Sequence, residues 1–551
     1  MTARLKICLV HQGLWDMDKL SMPLANGYLK AMAMADDDLR REVDIRLVTF
    51  GGGHKLAHMV PEAIVKDPPD ILAFSVFGWN YYNFGKMAET FRQVNPKGWC
   101  IVGGTHVSHQ AERVFRMFPA IDVIVNGEGE KPFVNLLRAR LRGHSRHELG
   151  DVRGITFKSE EGRIQVTPDE ARFKELDEIP SPFLTGAIPL VDQHGTFLYD
   201  VAMMETNRGC PYKCAFCYWG GATGQKVSKF SRDRLSAELE LFGRLGVENI
   251  ALCDANFGML PSDREFLDDL LGTRAKHGYP RNMVNSWAKN KSKVFYDIVE
   301  TMHRARLSGD FTLALQTLSP AALESSNRNN MKLNNFEDLC DWLNDRGLPS
   351  YVELIWGLPG ETCSSFLEGY DRAAKYTPRI ATYTNMLLPN SDYDAKRHEY
   401  AFVTTRGDEY DFEYVLSHKT MSYEDNVRMH HFLFWSRTLA EHLFFRHIWI
   451  PLRALAQISQ SSVILSLDAW MDQRTEPVAE GLKACKREVV NNLDASRIGR
   501  GLRYLYRQPE LKPLLAQWWE DAILPRIDTA LHPFFRELFA YDLATQPVHA
   551  D

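Results

Sequence analysis

Eleven short runs rich in β-branched and aromatic residues alternate with stretches that carry one apolar face at helical spacing, and this rhythm constrains the fold more than any other feature. Five runs fall in the first quarter of the chain: KICLV (Lys6 to Val10), DIRLVTF (Asp44 to Phe50), ILAFSVF (Ile71 to Phe77), CIVGG (Cys100 to Gly104) and DVIVNG (Asp122 to Gly127). Helical stretches such as PLANGYLKAMAMA, NYYNFGKMAETFRQ and EKPFVNLLRARLRG separate or follow them. The pattern predicts a doubly wound parallel sheet, whose ligands bind at the carboxyl ends of the strands. The loops to watch are therefore 12–17, 78–82, 103–109 and 127–130.

A second series begins near residue 200 with DVAMMET, NIALCDANFG, NMVNSWAKN, FTLALQTLSP, YVELIWGLPGET and ATYTNMLLPN. Six strands spaced by helices predict a full or partial (βα) barrel with its site at the strands' carboxyl ends. The fold class is thus α/β: a Rossmann-like domain over residues 1–142, a linker over 143–190 with a hairpin at Glu161-Gly162, and a barrel over 191–400. A mostly helical, aromatic-rich domain over 401–551 completes the chain, expected as a cap that selects substrate, with a buttress or dimer surface as the alternative.

At 551 residues the chain is too long for one core. Its net charge is −6 and it has no basic stripe, which gives no electrostatic case for nucleic acid, and no apolar run is long enough to span a bilayer. KICLV is a strand's length and lacks a cleavage site, so the expectation is a cytoplasmic protein. Cys8, Cys100, Cys253, Cys340, Cys363 and Cys485 are scattered singly, as buried small hydrophobes would be. The other three form one tight group, which suits a reducing compartment and one metal or redox site.

That group is NRGCPYKCAFCYWGG, with Cys210, Cys214 and Cys217 as C-x3-C-x2-C directly after the first strand of the second series. Thiolates so spaced ligate zinc or iron; zinc would need a further ligand pair, and none lies nearby. With Phe216 before the last cysteine, the loop resembles that of the radical S-adenosylmethionine (SAM) superfamily. The resemblance implies that the three cysteines bind a [4Fe-4S] cluster and that SAM chelates its open iron. It further implies SAM contacts at Asp254 and Asn256, where CDANFG replaces the family's glycine-rich element without its G-G-E form. Ser286 and Lys289, Gln316 and Thr317, and the turn of Gly357, Pro359 and Gly360 stand where other SAM contacts are made. For each of these side chains, packing or turn capping is the alternative.

The N-terminal domain resembles the cobalamin-binding domain of one large radical SAM class. The resemblance rests on GGTHVSHQAE, with Gly103, Gly104, Thr105, His106 and Val107, and on NGEGEKPF, with Gly127, Glu128 and Gly129. The D-x-H-x-x-G sequence that supplies a histidine to cobalt is absent, which implies a cobalt without that lower ligand; His106 and His109 are the histidines to weigh. The implied activity is C-methylation of a natural-product precursor, an amino acid such as tryptophan, a peptide residue or a small scaffold, with methyl passing from SAM through methylcobalamin. An external electron donor of flavodoxin or ferredoxin type is implied, and transfer is by a deoxyadenosyl radical or, with Asp254 or Glu205 on the open iron, by a polar route. A rearrangement or cyclisation without methyl transfer, or a non-catalytic corrinoid or iron-sulfur carrier, are the alternatives. Trp79, Tyr81, Tyr82, Tyr218, Trp219, Trp287 and Trp356 are candidate cofactor or substrate walls, and Tyr212, Tyr218 and Tyr383 candidate acids or bases.

Overall fold

Side chains alternate between the two faces along the first strands, so that each strand feeds two separate cores. The structure, a computed structural model, describes residues 4–546 apart from 17, 289–291, 308 and 329–332; Met17 and Lys289 lie outside the described residues. Cys8, Val10, Leu72, Phe74, Cys100, Val102 and Ile124 face one helix layer, while Ile7, Leu9, Ile71, Ala73, Ile101 and Val123 face the other. A sheet covered on both faces is what near-continuous apolar strands such as ILAFS require.

The strands are β1 (Leu5–Gln12), β2 (Val43–Phe50), β3 (Ile71–Ser75), β4 (Trp99–Gly103) and β5 (Val123–Val125), all parallel in the order β2-β1-β3-β4-β5. The order reverses between β1 and β3, the switch point at which such sheets open a crevice. The expected hairpin forms as β6 (Ile155–Lys158) and β7 (Ile164–Val166). It does not stand apart as a linker: β6 pairs antiparallel with β5 and extends the sheet to seven strands.

All six runs of the second series become strands. β8 (Ala202–Met204) is followed by a two-residue ladder, β9 (Asn207–Arg208) with β10 (Ser228–Lys229), which brackets the cysteine loop. β11 (Asn249–Leu252) and β12 (Asn282–Val284) complete a parallel trio with β8, and β13 (Phe311–Gln316), β14 (Ser350–Trp356) and β15 (Ile380–Thr384) form a second trio. The result is a partial barrel in two half-sheets. Between Ala314 and Gln316 the register slips, and Gln316 takes φ 71°, a bulge of the kind that re-aims a side chain.

After residue 401 the helical expectation misses one element, a hairpin of β16 (Val403–Arg406) and β17 (Glu413–Ser417). The start of its second strand is tied to the segment after β15, where the Leu387 amide donates to the Glu413 carbonyl at 2.9 Å. Its tip reaches the N-terminal domain: the Asp411 amide donates to the Gly78 carbonyl at 2.8 Å, and its fully buried carboxylate meets His106 Nε2 at 2.7 Å, Arg406 at 2.9 Å, Arg113 and Tyr82. Helices follow to residue 544, and their core is continuous with that of β13 to β15 through Phe366, Tyr370, Phe432 and Trp435. The C-terminal helices therefore pack behind the second half-sheet. Among the described residues no helix is long and apolar enough to cross a membrane.

Burial would raise the Asp411 carboxyl, but His106, Arg113 and Arg406 outweigh it and hold its pKa at about 2. A carboxyl depressed in this way contributes about 2 kcal/mol to the folded state above pH 4, and that share is lost as the pH falls from about 4 through 2. Asp411→Asn is expected to lower the melting temperature by a few degrees at pH 7, and the gap to wild type is expected to narrow at pH 2 to 3 in the same thermal scan.

Candidate functional site

The cysteine loop is shaped by its own backbone. The Cys210 amide donates to the Ala222 carbonyl at 2.9 Å, the Gln225 amide to the Cys210 carbonyl at 3.0 Å and the Cys217 amide to the Cys214 carbonyl at 3.0 Å. Gly209 takes φ 129°, and a Cβ there would lie 2.6 Å from the Lys226 carbonyl oxygen, so only glycine can precede the first cysteine. Cys210 and Cys214 are buried and Cys217 half-buried. Donors already face the sulfurs: Asn256 Nδ2 lies 3.3 Å from Cys210 Sγ, and Arg328 lies 3.7 Å from Cys214 Sγ and 6.0 Å from the Phe216 ring. Among the described residues no trio of His, Cys, Asp or Glu converges closely enough for a lone ion. A cubane, whose iron corners are spread apart, takes thiolates standing further from one another.

Inside the barrel beside this loop is a cavity of about 290 Å³. Cys210, Phe216, Cys217, Trp219, Ser286, Trp287 and Gln316 line it, together with Asn285, Arg328, Tyr351 and Glu353, which the sequence reading did not single out. Among the described residues the Asn285 amide nitrogen is buried without a partner. Burial raises the Glu353 carboxyl's pKa, so this group holds a proton more readily than an exposed glutamate.

A larger cavity of about 540 Å³ lies at the switch point of the N-terminal sheet. Gly13 and Leu14 after β1, Phe77 and Trp79 after β3, Gly103 and Gly104 at the end of β4, and Gly127 and Gly129 after β5 form its floor. Across from them stand Met203, Glu205, Arg208 and Cys253 of the barrel. Trp79 stacks on Phe77 with ring centroids 4.4 Å apart and donates to the Gln12 carbonyl at 3.0 Å. A Cβ at Gly127 would meet nothing within 4 Å, as a cradle for a large ligand requires.

The two cavities share one wall, the segment from Glu205 to Cys217. Arg208 fixes it to the N-terminal domain: its guanidinium lies 2.8 Å from Glu130, 3.0 Å from Glu205, 3.9 Å from Glu128 and 5.1 Å from the Tyr28 ring. Burial alone would lower the Arg208 pKa, but Glu130 and Glu205 outweigh it and hold the cation firmly. A second tie lies beside Tyr218, where the Asn390 amide donates to the Ser108 carbonyl at 2.8 Å; burial raises the Tyr218 phenol, which stays protonated.

Other expected contacts lie elsewhere. Thr105, His106, Val107 and Glu128 do not line the larger cavity: Val107 is core, His106 is held by Asp411, and Glu128 accepts from Arg172 at 3.2 Å and from the Phe173 amide at 2.9 Å. His109 is turned toward Asp169 at 3.8 Å. Asp254 is spent on the amides of Thr206 and Asn207 at 2.8 and 3.3 Å, with burial pushing it up to about 7. Gly357 and Pro359 lie outside the smaller cavity, and their carbonyls accept from His418 and Ser325. Thr317 donates to Glu361 at 2.8 Å, whose carboxyl burial pushes up to about 8. Trp356 is core, bonded to Asn426.

Comparison with known proteins matches this division. Residues 25–137 match the B12 binding domain, and residues 204–373 match the radical SAM superfamily. The chain is 35% identical over 67% of its length to the cobalamin-dependent radical SAM methyltransferase TokK of Streptomyces tokunonensis, and 34% identical over 67% to a 2-(S-pantetheinyl)-carbapenam-3-carboxylate methyltransferase of Streptantibioticus cattleyicolor. The chain belongs to the cobalamin-dependent radical SAM family. It spans about half, 54%, of the length of either relative. Its fold resembles that of the cobalamin-dependent enzyme OxsB, at TM-score 0.59 and 14% identity over 98% of this chain and 84% of that one. It also resembles the methyltransferase TsrM of Kitasatospora setae, at TM-score 0.56 and 14% identity over 74% and 78%.

As a member of this family the chain uses cobalamin, a [4Fe-4S] cluster and SAM. The donor set fits the cluster, since three cysteines stand on one loop and N–H groups meet the Cys210 and Cys214 sulfurs. The larger cavity lies mainly within the segment that matches the B12 binding domain. Arg208 escaped the sequence reading although it stands two residues before Cys210, because nothing local announces its distant partners.

Arg208→Ala leaves Glu130 and Glu205 without their buried cation and is expected to destabilise the domain contact by about 3–5 kcal/mol, seen as a lowered melting temperature, with Arg208→Lys intermediate. Cys210→Ala, Cys214→Ala and Cys217→Ala are each expected to lose the bound iron and the visible iron-sulfur absorbance after anaerobic reconstitution, with the fold retained by circular dichroism.

Proposed function

We propose that the enzyme transfers a methyl group from SAM, by way of cobalamin, to an unactivated carbon of a small natural-product scaffold. The observation that carries this reading is the shared wall: Glu205 and Arg208 line one cavity, and Cys210, Phe216 and Cys217 line the other. Two cofactor sites so placed address one substrate. The names of the two relatives, both methyltransferases, support methyl transfer over rearrangement, and a cavity of about 290 Å³ suits a small molecule better than a peptide.

When bound, cobalamin supplies a methyl carrier, and the cluster with SAM supplies the methyl source and the means to activate a C–H bond. We assign Cys210, Cys214 and Cys217 to the cluster, Asn256, Phe216, Ser286 and Gln316 to the SAM side, and Gly103, Gly104, Gly127 and Gly129 to the corrin. The chain's own side chains then bind, orient and exclude water. Arg208 and Tyr218 hold the two sites at a fixed separation, and Phe216, Trp219 and Trp287 exclude water from the smaller cavity. Asn285 offers an unmet donor and Glu353 a readily protonated carboxyl, which orient polar groups of the substrate. A flavodoxin- or ferredoxin-type protein supplies electrons in a reducing cytoplasm, the compartment in which cysteines persist as thiols.

The test is anaerobic turnover of the reconstituted enzyme with SAM, cobalamin and a reductant on a panel of carbapenam and amino-acid scaffolds, read by mass spectrometry. The expected result is a product heavier by one methyl group, with S-adenosylhomocysteine; matching 5′-deoxyadenosine marks the radical route. A product of unchanged mass would establish rearrangement instead, and intact SAM a carrier.

A further inference from the structure

One polar side chain in the larger cavity has no partner in the fold. Asn26 is 2% exposed and lines that cavity, and its amide nitrogen is buried with nothing to donate to. Its carbonyl oxygen likewise makes no hydrogen bond among the described residues. An amide buried without partners costs about 1–3 kcal/mol, and folded proteins keep few of them.

The side chain cannot escape by a shift of its helix, Leu24–Ala35. At Gly27 a Cβ would lie 2.3 Å from Ile188 Cδ1, so the helix is pressed against its neighbour at the next residue. Tyr28 stacks on Phe230 with centroids 6.3 Å apart and carries the Arg208 guanidinium over its other side. Nor do the polar neighbours in the cavity serve Asn26: His11 is bonded to Ser21 at 3.1 Å, and Glu130 and Arg208 are paired with one another. What remains to satisfy the amide is the cavity's occupant.

We propose that Asn26 binds cobalamin by exchanging a reciprocal pair of hydrogen bonds with a primary carboxamide on the rim of the corrin. A carboxamide presents a donor and an acceptor side by side, so two of them pair head to tail. The corrin macrocycle carries such groups around its edge, and few other ligands of this size do. The inference rests on the larger cavity being the cobalamin site and on nothing about the reaction.

The test is equilibrium titration of the full-length apoprotein with hydroxocobalamin and with cobinamide, in the absence of SAM, for wild type and Asn26→Leu, alongside the apoprotein melting temperature. Two hydrogen bonds of ordinary strength correspond to about tenfold or more in affinity. The expected result is that loss for both corrinoids, with the apoprotein melting at or above the wild-type temperature because leucine removes the unmatched amide. Affinities within twofold of wild type would overturn the proposal. A loss confined to cobalamin would place the contact on the nucleotide tail, and a loss accompanied by a lower apoprotein melting temperature would make Asn26 structural; either outcome also overturns it. If wild type binds neither corrinoid, the assignment of the cavity fails first, whereas unchanged binding in the variant refutes Asn26 alone.

Discussion

The Arg208 guanidinium is the point on which both sites depend. It belongs to the short ladder that opens the cysteine loop, yet its partners Glu130 and Glu128 belong to the turn after β5 of the other domain. A fork of donors in fixed geometry, desolvated between carboxylates, tolerates little displacement. The same interaction therefore sets where the thiols stand and how far they stand from the glycine floor of the larger cavity. Beyond the far end of the loop, Asn390 donates to the Ser108 carbonyl at 2.8 Å beside Tyr218, a second link between the domains.

The hairpin of β16 and β17 provides a second, independent bridge. Its tip is locked by the Asp411 carboxylate beside the loops that follow β3 and β4, while the adjoining start of β17 is tied to the segment after β15. Phe77 and Trp79 flank Gly78, the residue that accepts from Asp411, and both line the cavity. Loops at one end of the sheet are thus braced by an element from a distant part of the chain.

What could be read from the sequence was local, and what could not was long-range. All eleven runs became strands because periodicity and turn chemistry act over a few residues, and the cysteine spacing announced its chemistry for the same reason. The glutamates of NGEGEKPF show the limit: the glycines line the cavity, but Glu128 turns out of it to Arg172, and Glu130, though it lines the cavity, is paired with Arg208 from a distant part of the chain. His106 was a natural candidate for the cofactor until Asp411, on an element the sequence did not reveal, claimed it. Asp254 sat at the right strand end, and two backbone amides from the neighbouring strand took it. Asn285, Tyr351 and Glu353 lie within or next to strands, where a polar residue facing inward looks the same in sequence as one facing out.

Cores and domains do not share boundaries here. The first half-sheet of the barrel packs into one cluster with Met22, Tyr28 and Phe183, and the second half-sheet into another with the C-terminal helices. The seam between the clusters runs between β12 and β13, and the Trp287 indole packs against both while lining the smaller cavity. A molecule lodged against Trp287 therefore does more than fill space, because it adds contacts across the line along which the two halves would part. Occupancy of the site and cohesion of the barrel are two readings of one equilibrium.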